Sequence, residues 1–141
     1  MKMKREAVSI MGLIISALIM IAFVVPQDQT TVKPKEIPKG YKTMANPYKE
    51  DASLNMVGLR NYNRHCVSCH GKKGLGDGAM SKNLKTFPGN LTTAEFNKHT
   101  DGEIYFLSFI GVTEKPDFIK LMPNEEDRWA VVNYVRTLKT E

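Results

Sequence analysis

Cysteine and histidine are scarce in this sequence, and their scarcity argues against several kinds of site. The two cysteines, Cys66 and Cys69, are too few for a disulfide framework. A structural zinc site needs four ligands, so it would have to use nearly all of the five candidates, the two cysteines and the histidines His65, His70 and His99. A thioredoxin-like dithiol needs a βαβ pattern, and no strand-rich run surrounds the cysteines.

The sequence also lacks a group of residues suited to acid–base or nucleophilic catalysis. We therefore expect no enzyme acting on a small-molecule substrate. The net charge of +5 is uneven, because residues 51–141 carry 12 basic and 11 acidic side chains and contribute only +1. The basic excess belongs to residues 1–50, so nothing in the charge pattern predicts binding to nucleic acid.

What the chain does have is the run Cys66-Val67-Ser68-Cys69-His70. Two cysteines three residues apart, with a histidine directly after the second, form the attachment signature of a c-type haem. One turn of chain brings both thiols to the vinyl groups of one porphyrin edge, where they form thioethers. The imidazole of the histidine then ligates the iron. We predict one covalent haem c, held by Cys66 and Cys69, with His70 as the proximal ligand.

The run continues as Gly71-Lys72-Lys73-Gly74-Leu75-Gly76-Asp77-Gly78, and the whole resembles the CHGxxGxGDG run of class I cytochromes c. This resemblance implies an all-α domain wrapped around one covalent haem, and a function in one-electron transfer. The chain is also similar to membrane-attached subunits of bacterial quinol-oxidising complexes. That similarity implies redox protein partners or respiratory complex subunits.

The resemblance assigns roles to two further residues. In class I cytochromes c the N-terminal helix crosses the C-terminal helix at a small residue, and Gly58, followed by Tyr62, matches that pattern. A proline carbonyl in the family accepts the free N–H of the ligating histidine, and Pro88 is the matching position. An ordinary turn proline is the alternative interpretation.

The start of the chain predicts a membrane anchor. Residues 7–25 form an uncharged, mostly apolar run of 19 residues after a basic start. As a helix it would span about 28 Å, close to the thickness of a bilayer core. The basic end favours the cytoplasm, which places the haem domain on the periplasmic or outer side of the bacterial cytoplasmic membrane. A cleaved signal peptide is the alternative.

Residues 26–50 are rich in proline and lysine, and we predict an extended, poorly ordered tether there. The haem domain is predicted at residues 51–141. Its expected helices are one from Asp51 or Ser53 to about Arg64, two short ones capped near Thr92 and at Asp101, and a last one from Asn124. The helical spacing of Trp129, Val132 and Val135, with Leu138 as a further candidate, predicts the buried face of the last helix.

The sixth iron ligand is less clearly marked. Relatives of this kind carry Met-Pro-x-Phe or Met-Pro-x-Tyr about a dozen residues before Arg-Trp, where this chain has Lys115-Pro116-Asp117-Phe118. A lysine must lose its proton to ligate, at about 4–5 kcal/mol at neutral pH, whereas a methionine need not. We therefore predict Met122 as the distal ligand. An open position, Lys115, and the lesser candidates Met80, Met56 and His99 remain alternatives.

An open position would suit a different function, a haem-based sensor or ligand-binding protein. Such proteins usually carry an output domain, and the sequence shows none. Electron transfer is therefore the preferred interpretation.

Overall fold

A computed structural model of the protein describes residues 36–111 and 116–139. Within these ranges it is helical and contains no β-strand, as predicted. Two short 3-10 helices cover Ala52–Leu54 and Ser81–Asn83. The α-helices of the described part are α1 (Lys39–Lys42), α2 (Asn55–His65), α3 (Val67–His70), α4 (Ala94–Asn97), α5 (Asp101–Phe109), α6 (Phe118–Leu121) and α7 (Glu125–Arg136).

Helices α2 and α7 cross at Gly58, which confirms the predicted crossing. A Cβ added to Gly58 would lie 2.8 Å from the carbonyl carbon of Ala130 and closer still to its oxygen. The backbone of α7 therefore occupies the space that any other side chain would need. One turn further along α2, the ring of Tyr62 packs at 5.0 Å from the ring of Tyr134.

The hydrophobic core lies along α7 and is closed by α2 and α5. Trp129, Val132 and Val135 form the inner stripe of α7, as the periodicity predicts, and all three are buried. The Trp129 ring packs 4.4 Å from the Tyr105 ring of α5. This core is what holds the segments that carry the attachment cysteines.

Helix α5 begins one residue earlier than predicted. Its N-cap is Thr100 rather than Asp101, and Thr100 forms a full capping box with Glu103. The backbone N–H of Thr100 donates to the Glu103 carboxylate at 2.7 Å, and that hydrogen bond is the main cause that lowers the pKa of Glu103. Asp101 instead forms an ion pair with Arg136 at 2.8 Å, which fixes the end of α7.

Residues 36–50 differ from the predicted extended tether. Tyr41, on α1, packs its ring 4.9 Å from the ring of Phe106. The amide of Asn46 donates to Asn133 at 2.7 Å and to Asp101 at 3.2 Å. Single aromatic and amide side chains anchor the segment to α5 and α7. The proline and lysine content of the segment therefore could not predict these contacts.

The predicted anchor, residues 1–25, and the first part of the predicted tether lie outside the described residues. Among the residues that are described, no helix combines the length and apolar character needed to cross a membrane. Lys115, the alternative iron ligand, also lies outside them.

Candidate functional site

The attachment run occupies a tight turn and one helical turn directly after α2. Cys66 ends α2, with its N–H donating to the Tyr62 carbonyl at 2.8 Å, and the run from Val67 to His70 forms α3. The N–H of His70 donates to the carbonyl of Cys66 at 2.9 Å. Both thiols and the imidazole are thereby collected within a single helical turn, the spacing that thioether formation at one porphyrin edge requires.

The glycine loop, residues 71–78, lies against this turn and is hydrogen-bonded to its backbone. Gly76 N–H donates to the His70 carbonyl at 2.8 Å, and Gly78 N–H donates to the Cys69 carbonyl at 3.1 Å. A Cβ on Gly78 would lie 2.5 Å from the carbonyl oxygen of Val67. The glycine at position 78 is therefore needed for the contact of this loop with α3.

Tyr62 links α2 to the same turn. Its side chain is fully buried, and its hydroxyl donates to the Gly71 carbonyl at 2.8 Å. Burial raises the pKa of Tyr62 above its ordinary value, and the nearby Cys66, Tyr134 and Asp77 add to the increase. Tyr62 is therefore a neutral donor that fixes the C-terminal end of α3 onto the α2–α7 crossing. Sequence analysis placed Tyr62 at the helix crossing but did not identify this bond.

The donor atoms present fit a covalent c-type haem. Cys66 and Cys69, both within the described part of the chain, form no disulfide with each other and are half-buried. His70 is also half-buried, and its Nδ1 atom is enclosed by the domain. Two thiols and one imidazole match the bonds that such a haem makes, two thioethers and one axial ligand.

Pro88 lies in the loop that returns over the glycine loop. Leu91 N–H donates to the Gly74 carbonyl at 2.7 Å. A Cβ added to Gly76 would lie 2.5 Å from the ring of Phe87, the residue before Pro88. Pro88 itself is half-buried. Its role as acceptor for the His70 N–H stays a prediction.

Met122 ends α6 and has only 2% of its surface exposed. It belongs to the buried cluster that also contains Trp129 and Tyr62, against which Cys66 and Phe118 pack. The Met122 side chain therefore contributes to core packing, and the cluster to which it belongs borders the attachment turn. Ligation by Met122 stays a prediction.

The lesser ligand candidates are less suitably placed. Met56 and Met80 expose 62% and 48% of their surface. The Nδ1 atom of His99 lies 3.6 Å from the Glu103 carboxylate, beside the capping box of α5. We rank Met56 and Met80 behind Met122 because they are exposed, and His99 because its imidazole lies beside the Glu103 carboxylate.

Arg128 is a residue of the site that sequence analysis missed. It is 8% exposed and donates from Nε to the Tyr105 hydroxyl at 2.6 Å. Its Nη1 donates to the carbonyls of Met122, at 2.5 Å, and Pro123, at 2.9 Å. The available signal was a cation near the start of a helix, where the helix dipole disfavours positive charge.

Comparison with known proteins assigns the family. The family model described as cytochrome c matches residues 56–139, which include the attachment run, the glycine loop and α7. No curated protein matches the chain. Because the match covers more than half of the sequence and the residues present fit a covalent c-type haem, the chain belongs to the cytochrome c family, and it is a haem-binding electron-transfer protein.

Proposed function

We propose that the chain is a one-electron carrier of a bacterial respiratory chain. In this proposal residues 1–25 hold the protein at the cytoplasmic membrane, with the haem domain on the outer side. Its partners are redox proteins or the other subunits of a quinol-oxidising or terminal oxidase complex. The observation that carries the proposal is the position of the attachment turn, whose two thiols are half-buried. A haem bonded to these thiols would have that edge near the surface, where a partner could approach it.

The bound haem supplies one-electron exchange between Fe(II) and Fe(III). The residues of the chain hold and orient it. Cys66 and Cys69 fix one edge, and His70 provides the proximal ligand. Tyr62 and the glycine loop hold the turn that carries all three against the α2–α7 core, which would keep these side chains in place around a bound haem.

Met122 is proposed as the distal ligand, and its test needs a variant that preserves packing. Replacing a buried methionine by alanine destabilises a core by about 2–5 kcal/mol, whereas leucine conserves the volume. Met122→Leu should abolish the weak thioether absorption near 695 nm that the resemblance to class I cytochromes c predicts for the oxidised protein. Met80→Leu, at an exposed methionine, is the matched control and should retain it.

If the band is absent from the wild type, or survives Met122→Leu, Met122 is not the ligand. Rapid binding of carbon monoxide by the reduced wild type would then indicate an open position and favour a sensor. A ligand lost on acidification and regained at high pH would point to Lys115.

The covalent attachment is tested by acid–acetone extraction of the purified protein. The colour should stay with the polypeptide, and Cys66→Ser or Cys69→Ser should greatly reduce the holoprotein. Haem that extracts from the wild type would refute the attachment.

The membrane location has its own test. After alkaline carbonate washing, the protein should stay in the membrane pellet with its N-terminus at or near Met1. A soluble form beginning after Val25 would show a cleaved signal peptide.

Partner docking is proposed to have an electrostatic component. Lys72, Lys73, Lys82 and Lys85 follow the attachment turn, and all four are exposed. Such a patch accelerates association with an acidic partner, so electron-transfer rates should fall with rising ionic strength. A rate that stays flat up to about 0.3 M salt would remove this part of the proposal, since the Debye length there is below about 6 Å.

A further inference from the structure

Arg128 makes an unusual set of contacts for a charged residue. Its guanidinium is buried in the first turns of α7, and the three hydrogen bonds that it makes within the described part of the chain go to neutral oxygens of Tyr105, Met122 and Pro123. Within residues 36–111 and 116–139, no carboxylate lies within 4 Å of it. A buried charge needs such hydrogen bonds to offset its desolvation, and removing the oxygens would leave it uncompensated.

The oxygens that Arg128 binds belong to one short segment. Two of them are consecutive backbone carbonyls, at Met122 and Pro123, between the end of α6 and the start of α7. The third, the Tyr105 hydroxyl, belongs to α5 and accepts a hydrogen bond from Nε of Arg128. Arg128 thus ties the α6–α7 connection to α5.

The segment Phe118–Pro123 also borders the haem attachment turn. The ring of Phe118 lies 6.4 Å from the ring of His65, the residue before Cys66. Cys66 and Phe118 both pack against the core cluster that contains Met122. Met122 N–H donates to the Phe118 carbonyl at 2.9 Å, which joins the two ends of this short helical segment.

We propose that Arg128 is a positioning residue, which holds the segment Phe118–Pro123 closed beside the haem and thereby limits the access of external ligands to the distal side of the iron. The inference rests on the proposed haem function. It also rests on the proposed ligation by Met122, because that ligation is what places the segment Phe118–Pro123 on the distal side.

Loss of the guanidinium should therefore favour local opening. Hydrogen bonds to charged groups are individually among the stronger ones in proteins, and Arg128 makes two of them to this segment. In the wild type, opening of the segment Phe118–Pro123 must break both of these hydrogen bonds, and without Arg128 it need not. Removal of Arg128 should therefore raise the population of the open form at least tenfold. Ligand binding that proceeds through the open form should accelerate by the same factor.

The test is cyanide binding to the oxidised full-length holoprotein, followed by the change in the Soret absorption. Arg128→Leu should bind cyanide at least tenfold faster than the wild type, and Arg128→Lys, which keeps a donor and the charge, should lie between them. Arg136→Leu is the matched control. It removes a half-buried arginine from the same helix, which bonds Asp101 and the carbonyls of Asn97 and His99, far along α7 from Met122.

Equal cyanide rates in Arg128→Leu and the wild type would overturn the inference, as would an equal acceleration in Arg136→Leu, since that would reflect general destabilisation. If Arg128→Leu does not fold, the comparison uses Arg128→Lys and Tyr105→Phe, which removes only the acceptor of Nε. Both should accelerate binding at least twofold, and unchanged rates in both would refute the role. Haem that extracts from the wild type would refute the proposed function itself, a failure visible before cyanide is added.

Discussion

Replacing Gly58 by alanine sets two known effects against each other at the helix crossing. Alanine is the better helix former by about 1 kcal/mol in a helix interior. Its methyl group, however, would overlap the carbonyl of Ala130 and lie 3.0 Å from Cβ of Tyr134. The first contact is with the backbone of α7, which no rotamer change can move, so α2 and α7 must separate.

Overpacking a buried contact costs about 1–3 kcal/mol, and a clash with backbone belongs at the upper end. After subtracting the gain in helix propensity, Gly58→Ala should destabilise the domain by about 2 kcal/mol. For a domain of this size that corresponds to a melting temperature lower by roughly 10 °C. Thermal unfolding of the holoprotein, followed by circular dichroism in the far ultraviolet, measures this shift.

Gly40 provides the matched control. It lies inside α1 without a positive φ, and a Cβ there would meet nothing within 4 Å. Gly40→Ala should leave the melting temperature unchanged or raise it slightly, by up to about 1 kcal/mol in stability. A Gly58→Ala variant as stable as the wild type would refute the close approach of the two helices at residue 58.

Three further predictions each concern one hydrogen-bonding side chain. Tyr62→Phe should lower the free energy of unfolding by about 1–3 kcal/mol in denaturant titration, because the buried Gly71 carbonyl loses its donor; an unchanged value would contradict that bond. The pKa of Glu103 is lowered in the folded state, so its stabilisation is present above the ordinary pKa and lost as pH falls through the folded value. Glu103→Gln should therefore flatten the decrease of melting temperature between about pH 5 and 3, and an unchanged slope would contradict the linkage. Asn46→Ala should destabilise the domain and make residues 36–50 more sensitive to protease. Equal cleavage rates in the variant and the wild type would show that the hydrogen bonds of Asn46 do not anchor this segment.

Much of the fold was predictable because it depends on local patterns. The helical spacing of Trp129, Val132 and Val135 identified the buried face of α7, and these residues are buried. Gly58 was predictable for a different reason, since a glycine inside a helix carries a cost that close packing explains. Both inferences use residue type and spacing along one element.

The parts that sequence analysis missed depend on contacts between distant residues. Asn46 meets Asn133 across 87 positions, and Arg128 meets Tyr105 across 23. Neither pairing leaves a periodic trace in the sequence, because one polar side chain on each element is sufficient. The composition of residues 36–50 therefore predicted a tether where the structure has a docked segment.

The haem attachment turn depends on this distant packing as much as on its own motif. The motif brings two thiols and an imidazole into one turn, but it does not fix that turn in space. Tyr62 does so from α2, on the same helix as Gly58 and one turn after it. Because the Tyr62 ring also packs on Tyr134 of α7, any separation of α2 from α7 would move the donor that holds the Gly71 carbonyl. The crossing at Gly58 and the position of His70 are thus mechanically connected, and a change at the crossing should alter the haem spectrum as well as the stability.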